Sequence, residues 1–157
     1  GVLLDLTHEI DYAGWLFEWP NALQANIRNL GILGIDSCES AELFWEMESG
    51  CSVSLKLDYL THPDRRRMLA CGVNGSMEWD GIEGQVTLIV NGTTEIIKTS
   101  QGRNDLLASQ SKAFIEAASG FPNARLASAA DGIRVLSICD AAIEASEKRA
   151  EVLVDYI

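Results

Sequence analysis

Gly72-Val-Asn-Gly75-Ser-Met-Glu-Trp79-Asp80-Gly-Ile-Glu-Gly84-Gln-Val-Thr-Leu-Ile-Val90-Asn-Gly92-Thr-Thr-Glu95-Ile-Ile-Lys98 is the stretch whose reading decides the fold. Short apolar runs alternate with turn residues, and Asn74-Gly75 and Asn91-Gly92 are strong hairpin signals, because asparagine and glycine tolerate the positive φ that a two-residue turn demands. The expected strands are 66–73, 76–79, 85–90 and 95–98, with breaks at Asp80-Gly81 and Gly84. Upstream, Leu23 to Ile27, Ala41 to Met47 and Ser52 to Tyr59 show period-two alternation, complete in the third and partial in the others. Gly34-Ile-Asp36-Ser37, Glu48-Ser-Gly50 and His62-Pro63-Asp64 read as the turns between them. Consecutive strands joined by such short turns exclude a parallel sheet, whose crossovers need about a dozen residues or more.

The flanks change period. Over residues 4–17, rotation by about 100° per residue puts Leu3, Leu6, Ile10, Ala13 and Phe17 on one helical arc and Asp5, His8 and Tyr12 on another. Asp5 or Thr7 is placed to cap this helix, and Trp19-Pro20-Asn21 stops it. Leu106, Leu107, Gln110, Phe114 and Ala117-Ala118 outline a second helix, broken at Gly120-Phe-Pro122. A third is expected from Ser128 to Lys148, with Ile133, Leu136, Ile138, Ala141 and Ile143 as buried positions, and Glu151 to Ile157 as a short closing strand. The order of helix, many strands and two helices predicts an α+β fold: an open, mainly antiparallel β-sheet with helices packed on one face. Neither an internal repeat nor a linker interrupts residues 1–157, which read as one domain. Trp45 and Trp79 within strands suggest that the sheet's second face is covered by a partner.

Composition narrows the partners. The 12 basic and 23 acidic residues give a net charge of -11, which disfavours phosphate backbones and anionic membrane surfaces. No apolar run approaches the roughly 18 to 20 residues of a membrane span, and no signal peptide opens the chain. Cys38, Cys51, Cys71 and Cys139 are far apart with no Cys-x-x-Cys pair, so zinc is disfavoured and a reducing, cytoplasmic setting is expected. The sequon Asn91-Gly-Thr93 would matter only in a secreted protein. A chain that opens at Gly1, inside what reads as an ordered motif, is expected to be a piece of a longer protein.

The strongest chemical constellation is Asp5, His8 and Asp11, with Tyr12 beside them. A histidine flanked by carboxylates can act as a general base toward a hydroxyl. It can equally be a surface residue on a helix capped by Asp5, or, with Asp11 and a distant ligand, part of a metal site. Arg65-Arg66-Arg67 is the one basic cluster; along a strand Arg65 and Arg67 share a side and could bind an anion, or they form structural ion pairs with the surplus carboxylates. There is no G-x-G-x-x-G after a strand, no Walker lysine loop and no G-x-S-x-G elbow, so the chain itself has no evident nucleotide site.

Gly1-Val-Leu-Leu-Asp5-Leu-Thr-His8-Glu-Ile-Asp11-Tyr12-Ala-Gly-Trp15-Leu16-Phe17 resembles the opening of the C-terminal domain of the glucose-fructose oxidoreductase / inositol dehydrogenase (Gfo/Idh/MocA) family. Val53 to Leu60, Arg65 to Arg67, Gly75 to Asp80 and Asp131 through Ala145 are similar to later segments of that domain. The resemblance implies an open antiparallel sheet following an N-terminal Rossmann domain on the same polypeptide, which holds NAD or NADP and the family's catalytic lysine. It implies catalytic roles for His8 and Asp5 and a substrate contact for Asp11; Tyr12 beside it, and Arg65 and Arg67 of the basic cluster, are the further candidates for substrate binding. His8 would remove a hydroxyl proton from a sugar, sugar nucleotide or cyclitol as hydride leaves the same carbon for the nicotinamide. Asp5 would steady the imidazolium. Asp5 and His8 are three residues apart here, where the family more often has four; both spacings share a helix face. By the same resemblance the sheet's open face would form a homodimer, and this chain alone would bind no cofactor and be inactive. The alternative is a non-catalytic ligand-binding or dimerisation module.

Overall fold

A computed structural model describes residues 1–99 and 101–156. In chain order the elements are α1 (Val2–Asp5), α2 (Thr7–Phe17), β1 (Ala22–Arg28), β2 (Ser40–Glu46), β3 (Ser52–Asp58), β4 (Arg67–Gly72), β5 (Gly75–Asp80), β6 (Gln85–Val90), β7 (Thr93–Lys98), α3 (Arg103–Ala118), α4 (Ala129–Lys148) and β8 (Val152–Leu153). The chain makes two compact units, one of Gly1–Leu60 with the stretch from Ala127 onward, the other of Thr61–Leu126. The architecture is α+β with open antiparallel sheets, as the hairpin signals predict, and the strands are shared between two sheets of four.

In the first unit the sheet order is β3-β2-β1-β8, antiparallel throughout. Alternation points Leu23, Ala41, Leu43, Trp45, Val53 and Leu57 to one face, where they form a single core with Val2, Leu3, Ile10 and Ala13 of the first two helices and Val135, Ile138, Cys139 and Ala142 of α4. Fully buried Leu3, Ile10, Leu23, Leu43 and Ile138 contribute about 1.5–3 kcal/mol each. The opposite face carries Gln24, Asn26, Glu42, Glu46, Ser54 and Lys56, with Phe44 among them, so the helices do pack on one face only.

The first helix differs from its expectation. It is broken at Leu6 (φ -105°, ψ 29°), and neither Asp5 nor Thr7 makes a side-chain cap. Asp5 sits inside α1 and Thr7 already inside α2, so Leu6 is the residue that flanks α2, its carbonyl accepting the Glu9 N–H at 3.0 Å. The stop before Pro20 is as expected, with Glu18 at φ 73°. Gly14 lies beneath Trp19, where a Cβ would come within 2.5 Å of the indole ring.

Ser128 does cap α4: its Oγ accepts the Asp131 N–H at 3.2 Å while Asp131 Oδ2 accepts the Ser128 N–H at 2.8 Å. Of the positions expected to be buried on this helix, Ile138 and Ala141 are, whereas Ile133, Leu136 and Ile143 are 44%, 54% and 41% exposed. The stripe that packs on β1 is narrower and made of smaller residues, Val135, Cys139, Ala142 and Ala145 among them, because a long helix lying close to a sheet needs small side chains at the contact. The closing strand spans only Val152–Leu153; Ile157 lies outside the described residues.

In the second unit β4-β5-β6-β7 form an antiparallel meander. Val90 pairs with Thr93, so Asn91-Gly92 is the two-residue turn, with φ 49° and 79° as that turn type requires. Gly72 pairs with Gly75, which moves the other turn one residue earlier than its Asn-Gly signal, to Val73-Asn74. Gly75 instead stands where a Cβ would lie 1.8 Å from the Ile89 carbonyl oxygen. The register lines Met68, Trp79, Val86 and Ile97 in one row and Ala70, Met77 and Leu88 in the next, on one face. Among the described residues of this unit none is buried, and Leu106, Leu107 and Phe114 of α3 are more than half exposed.

Candidate functional site

His8 stands in the first turn of α2 with its side chain 52% exposed, and its Nε2 is 3.2 Å from Glu9 Oε1. The other Glu9 oxygen accepts a short hydrogen bond from the Tyr12 hydroxyl, one turn further along. Glu9 is thus the junction between imidazole and phenol. A carboxylate at Nε2 favours the tautomer with its proton there, which leaves Nδ1 as the basic nitrogen. The arrangement can accept a proton and stabilise the resulting cation.

Asp5 is engaged elsewhere. Its Oδ2 accepts the Tyr59 hydroxyl at 2.5 Å, tying α1 to the end of β3. That bond, with burial and the carboxylate's charge behind it, pushes the Tyr59 phenol up to about 12. The structure therefore brings His8, Glu9 and Tyr12 together in one set of contacts and Asp5 and Tyr59 in another. Asp11 is half-buried on α2, three residues beyond His8.

The arginines lie in the second unit. Arg67 Nε donates to Asp80 Oδ2 at 3.1 Å and Nη1 lies 3.8 Å from Glu78 Oε1, while Arg66 stacks its guanidinium 5.2 Å above the Trp79 ring. Asp80 is held below the usual carboxylate range by the Glu83 N–H first, then by Ile82 and Arg67 against the opposing effect of burial. Arg65 is exposed. Among the described residues no group of three or more His, Cys, Asp or Glu is arranged to hold a metal ion, and no helix is long and apolar enough to cross a membrane. Cys38, Cys51, Cys71 and Cys139 are free thiols.

Two residues of the site, Glu9 and Tyr59, are absent from the sequence-based expectation. Glu9 had a signal in its spacing to Tyr12, since residues three apart meet on a helix. Tyr59 had none, because its meeting with Asp5 depends on how β3 packs beneath α1.

No model of a known protein family matches the chain, and no curated protein matches it either. Solved structures do. Levoglucosan dehydrogenase in complex with NADH and L-sorbose superposes with a TM-score of 0.88 at 19% identity, over 100% of this chain and 51% of that one. UDP-N-acetylglucosamine 3-dehydrogenase from Acidithiobacillus ferrooxidans gives 0.80 at 18% identity over 94% and 47%. An oxidoreductase from Agrobacterium radiobacter in complex with NAD+, L-tartaric acid and magnesium gives 0.76 at 15% over 94% and 47%. The chain spans about half the length of the solved structures it matches. At this level of identity the likeness establishes the fold: the chain is built like one half of these oxidoreductases.

Proposed function

We propose that the chain is the substrate-binding half of an NAD(P)-dependent oxidoreductase acting on a hydroxyl of a sugar, sugar nucleotide or cyclitol, and that it needs a Rossmann half for activity. The observation that carries this reading is the His8–Glu9–Tyr12 set, on a fold shared with half of each of several oxidoreductases. His8 takes the hydroxyl proton at Nδ1, and Glu9 stabilises the imidazolium through Nε2. Asp11 and Tyr12 bind substrate hydroxyls. Asp5, held by the Tyr59 hydroxyl, fixes the short helix that leads into the one bearing His8.

Every strand pairing among the described residues is antiparallel, whereas a dinucleotide-binding half is built on a parallel sheet. In this reading NAD or NADP, which supplies the hydride acceptor, is held by the Rossmann half. The test is His8→Ala in the full-length protein assayed against sugars and cyclitols with both nucleotides; kcat near that of the parent protein would refute the reading. Arg65→Ala tests for an arginine contribution to substrate binding, Arg67 being tied to Asp80.

The other reading, a non-catalytic ligand-binding or dimerisation module, is favoured by the apolar rows Met68, Trp79, Val86, Ile97 and Met77, Leu88 on one face of the second sheet. Both readings include a homodimer through a sheet face, with residues 1–157 acting as one domain in the cytoplasm. Light scattering of the purified protein at high concentration gives a dimer mass if this holds and a monomer mass if it does not.

A further inference from the structure

The site described above leaves one large residue without a role. Trp15 is 76% exposed, whereas Trp45 is 1% exposed and Trp19 is packed against Gly14 and beneath the Arg134 guanidinium. An exposed indole offers a flat apolar face with a polar N–H at its edge. Trp15 also lies on an unbroken helix, Thr7–Phe17, that presents His8. Seven residues at about 100° each bring Trp15 back to within about 20° of His8 around the axis, and the rise of about 1.5 Å per residue sets it about 10.5 Å further along. Asp11 lies between them, about 4.5 Å from His8 along the same axis.

That distance decides what Trp15 can meet. A ring whose reacting carbon sits at His8 reaches Asp11 with its hydroxyls, but the span to Trp15 exceeds one six-membered ring. The indole is placed for a second ring. The charge of the helix limits what that ring can be attached through. Residues 1–27 contain Asp5, Glu9, Asp11 and Glu18 and no lysine or arginine. A diphosphate bridging two rings would run past Glu9 and Asp11 of α2, which has no lysine or arginine, and Arg134 of α4, which reaches Trp19, is already paired with Asp131.

We infer that Trp15 is a specificity-determining residue, a stacking platform for the second ring of a neutral two-ring glycoside whose first ring is oxidised at His8. This rests on the proposed oxidoreductase reading and narrows its substrate class. The apolar C–H face of a sugar ring lies on the indole, as apolar and weakly polarised C–H groups do on aromatic faces, while Asp11 accepts from hydroxyls at the ring junction.

The test compares kcat/KM of the full-length protein for neutral disaccharides, for the corresponding monosaccharides and for a sugar nucleotide, in parent, Trp15→Ala and Trp15→Phe proteins. The expected result is a preference for the disaccharide that falls about tenfold in Trp15→Ala and is mostly restored in Trp15→Phe. An unchanged preference in Trp15→Ala, or a sugar nucleotide preferred by the parent protein, overturns the inference. If no compound is oxidised, the oxidoreductase reading fails on its own, and acrylamide quenching decides the binding claim. The emission that Trp15→Phe removes is quenched in the free protein and protected by a disaccharide if the platform exists. Emission that is unquenched without sugar, or equally quenched with it, overturns the platform.

Discussion

The Tyr59 hydroxyl donates a 2.5 Å hydrogen bond to Asp5 Oδ2, joining residues 54 positions apart. Because that bond raises the phenol from its ordinary 10 to about 12, its stabilisation is complete below pH 10 and is lost as pH rises through 12. Tyr156, pushed to about 12 by burial with its hydroxyl on the Pro20 carbonyl, titrates in the same window. Tyr59→Phe should cost about 1 kcal/mol at neutral pH and flatten the alkaline loss of stability, with Tyr59→Phe/Tyr156→Phe flatter still. Denaturant titrations at pH 8 and 11.5 check this. An alkaline loss in Tyr59→Phe equal to that of the parent would show that the bond is not made.

His8 and Glu9 should separate from Asp5 in kinetics. In the full-length enzyme His8→Ala should lower kcat by about 10²- to 10⁴-fold. Glu9→Gln keeps the side chain's shape but removes the charge 3.2 Å from Nε2, and should lower kcat by about tenfold with KM little changed. Asp5→Asn, which leaves the His8 pair intact, should have the smaller effect on kcat. If Asp5→Asn is the more damaging, Asp5 and not Glu9 steadies the imidazolium, as the sequence motif implies.

This contest shows where sequence reading stops. His8 and Tyr12 could be placed on one helix because their spacing is local, and the strands because turn residues such as Asn91-Gly92 fix hairpins without reference to the rest of the chain. The pairing of Asp5 was not legible, since it is set by β3 packing under α1 and not by any spacing. Periodicity likewise suggested large residues for the buried side of α4, yet the helix sits close enough to the sheet that alanines and Cys139 fill the contact while Ile133 and Leu136 remain outside. The break at Leu6 had no proline or glycine to announce it.

Glu39 is fully buried, and its carboxylate accepts backbone N–H groups of Leu30 at 3.0 Å, Ile32 at 3.2 Å and Leu33 at 2.5 Å. Burial alone would raise its carboxyl; the N–H donors of Leu33, Ile32, Leu30 and Gly31 together outweigh that and hold it below its ordinary 4.5. The stabilisation is therefore present above pH 4.5 and lost as pH falls through the lower native value. Glu39→Gln should unfold more readily at neutral pH and lose less on acidification than the parent. Circular dichroism from pH 7 to 3 checks the difference. An acid transition as deep in Glu39→Gln as in the parent would place the acid-sensitive group elsewhere.

The two helix starts make a paired test. Ser128 exchanges hydrogen bonds with Asp131, so Ser128→Ala should cost about 1 kcal/mol. Thr7 makes no cap, so Thr7→Ala should stay within about 0.5 kcal/mol of the parent. Urea midpoints of the two variants decide it, and equal losses would mean that Thr7 caps after all.

Gly14 should resist the substitution that ordinarily strengthens a helix. Inside α2 an alanine would be expected to gain about 1 kcal/mol from propensity alone. Here the added Cβ would lie 2.5 Å from the Trp19 ring, which also stacks beneath the Arg134 guanidinium, 6.0 Å away. Overpacking of this kind costs about 1–3 kcal/mol, so Gly14→Ala should be net destabilising. Trp19→Leu removes the ring and should let Gly14→Ala recover its propensity gain in the double variant, a coupling that a double-mutant cycle measures directly. Gly14 sits next to Trp15 on the helix that carries His8, so a shift that accommodates the added Cβ also displaces that helix. Gly14→Ala should accordingly lower kcat/KM in the full-length protein even under conditions where it remains folded, and the Trp19→Leu background should relieve the stability loss without restoring the activity.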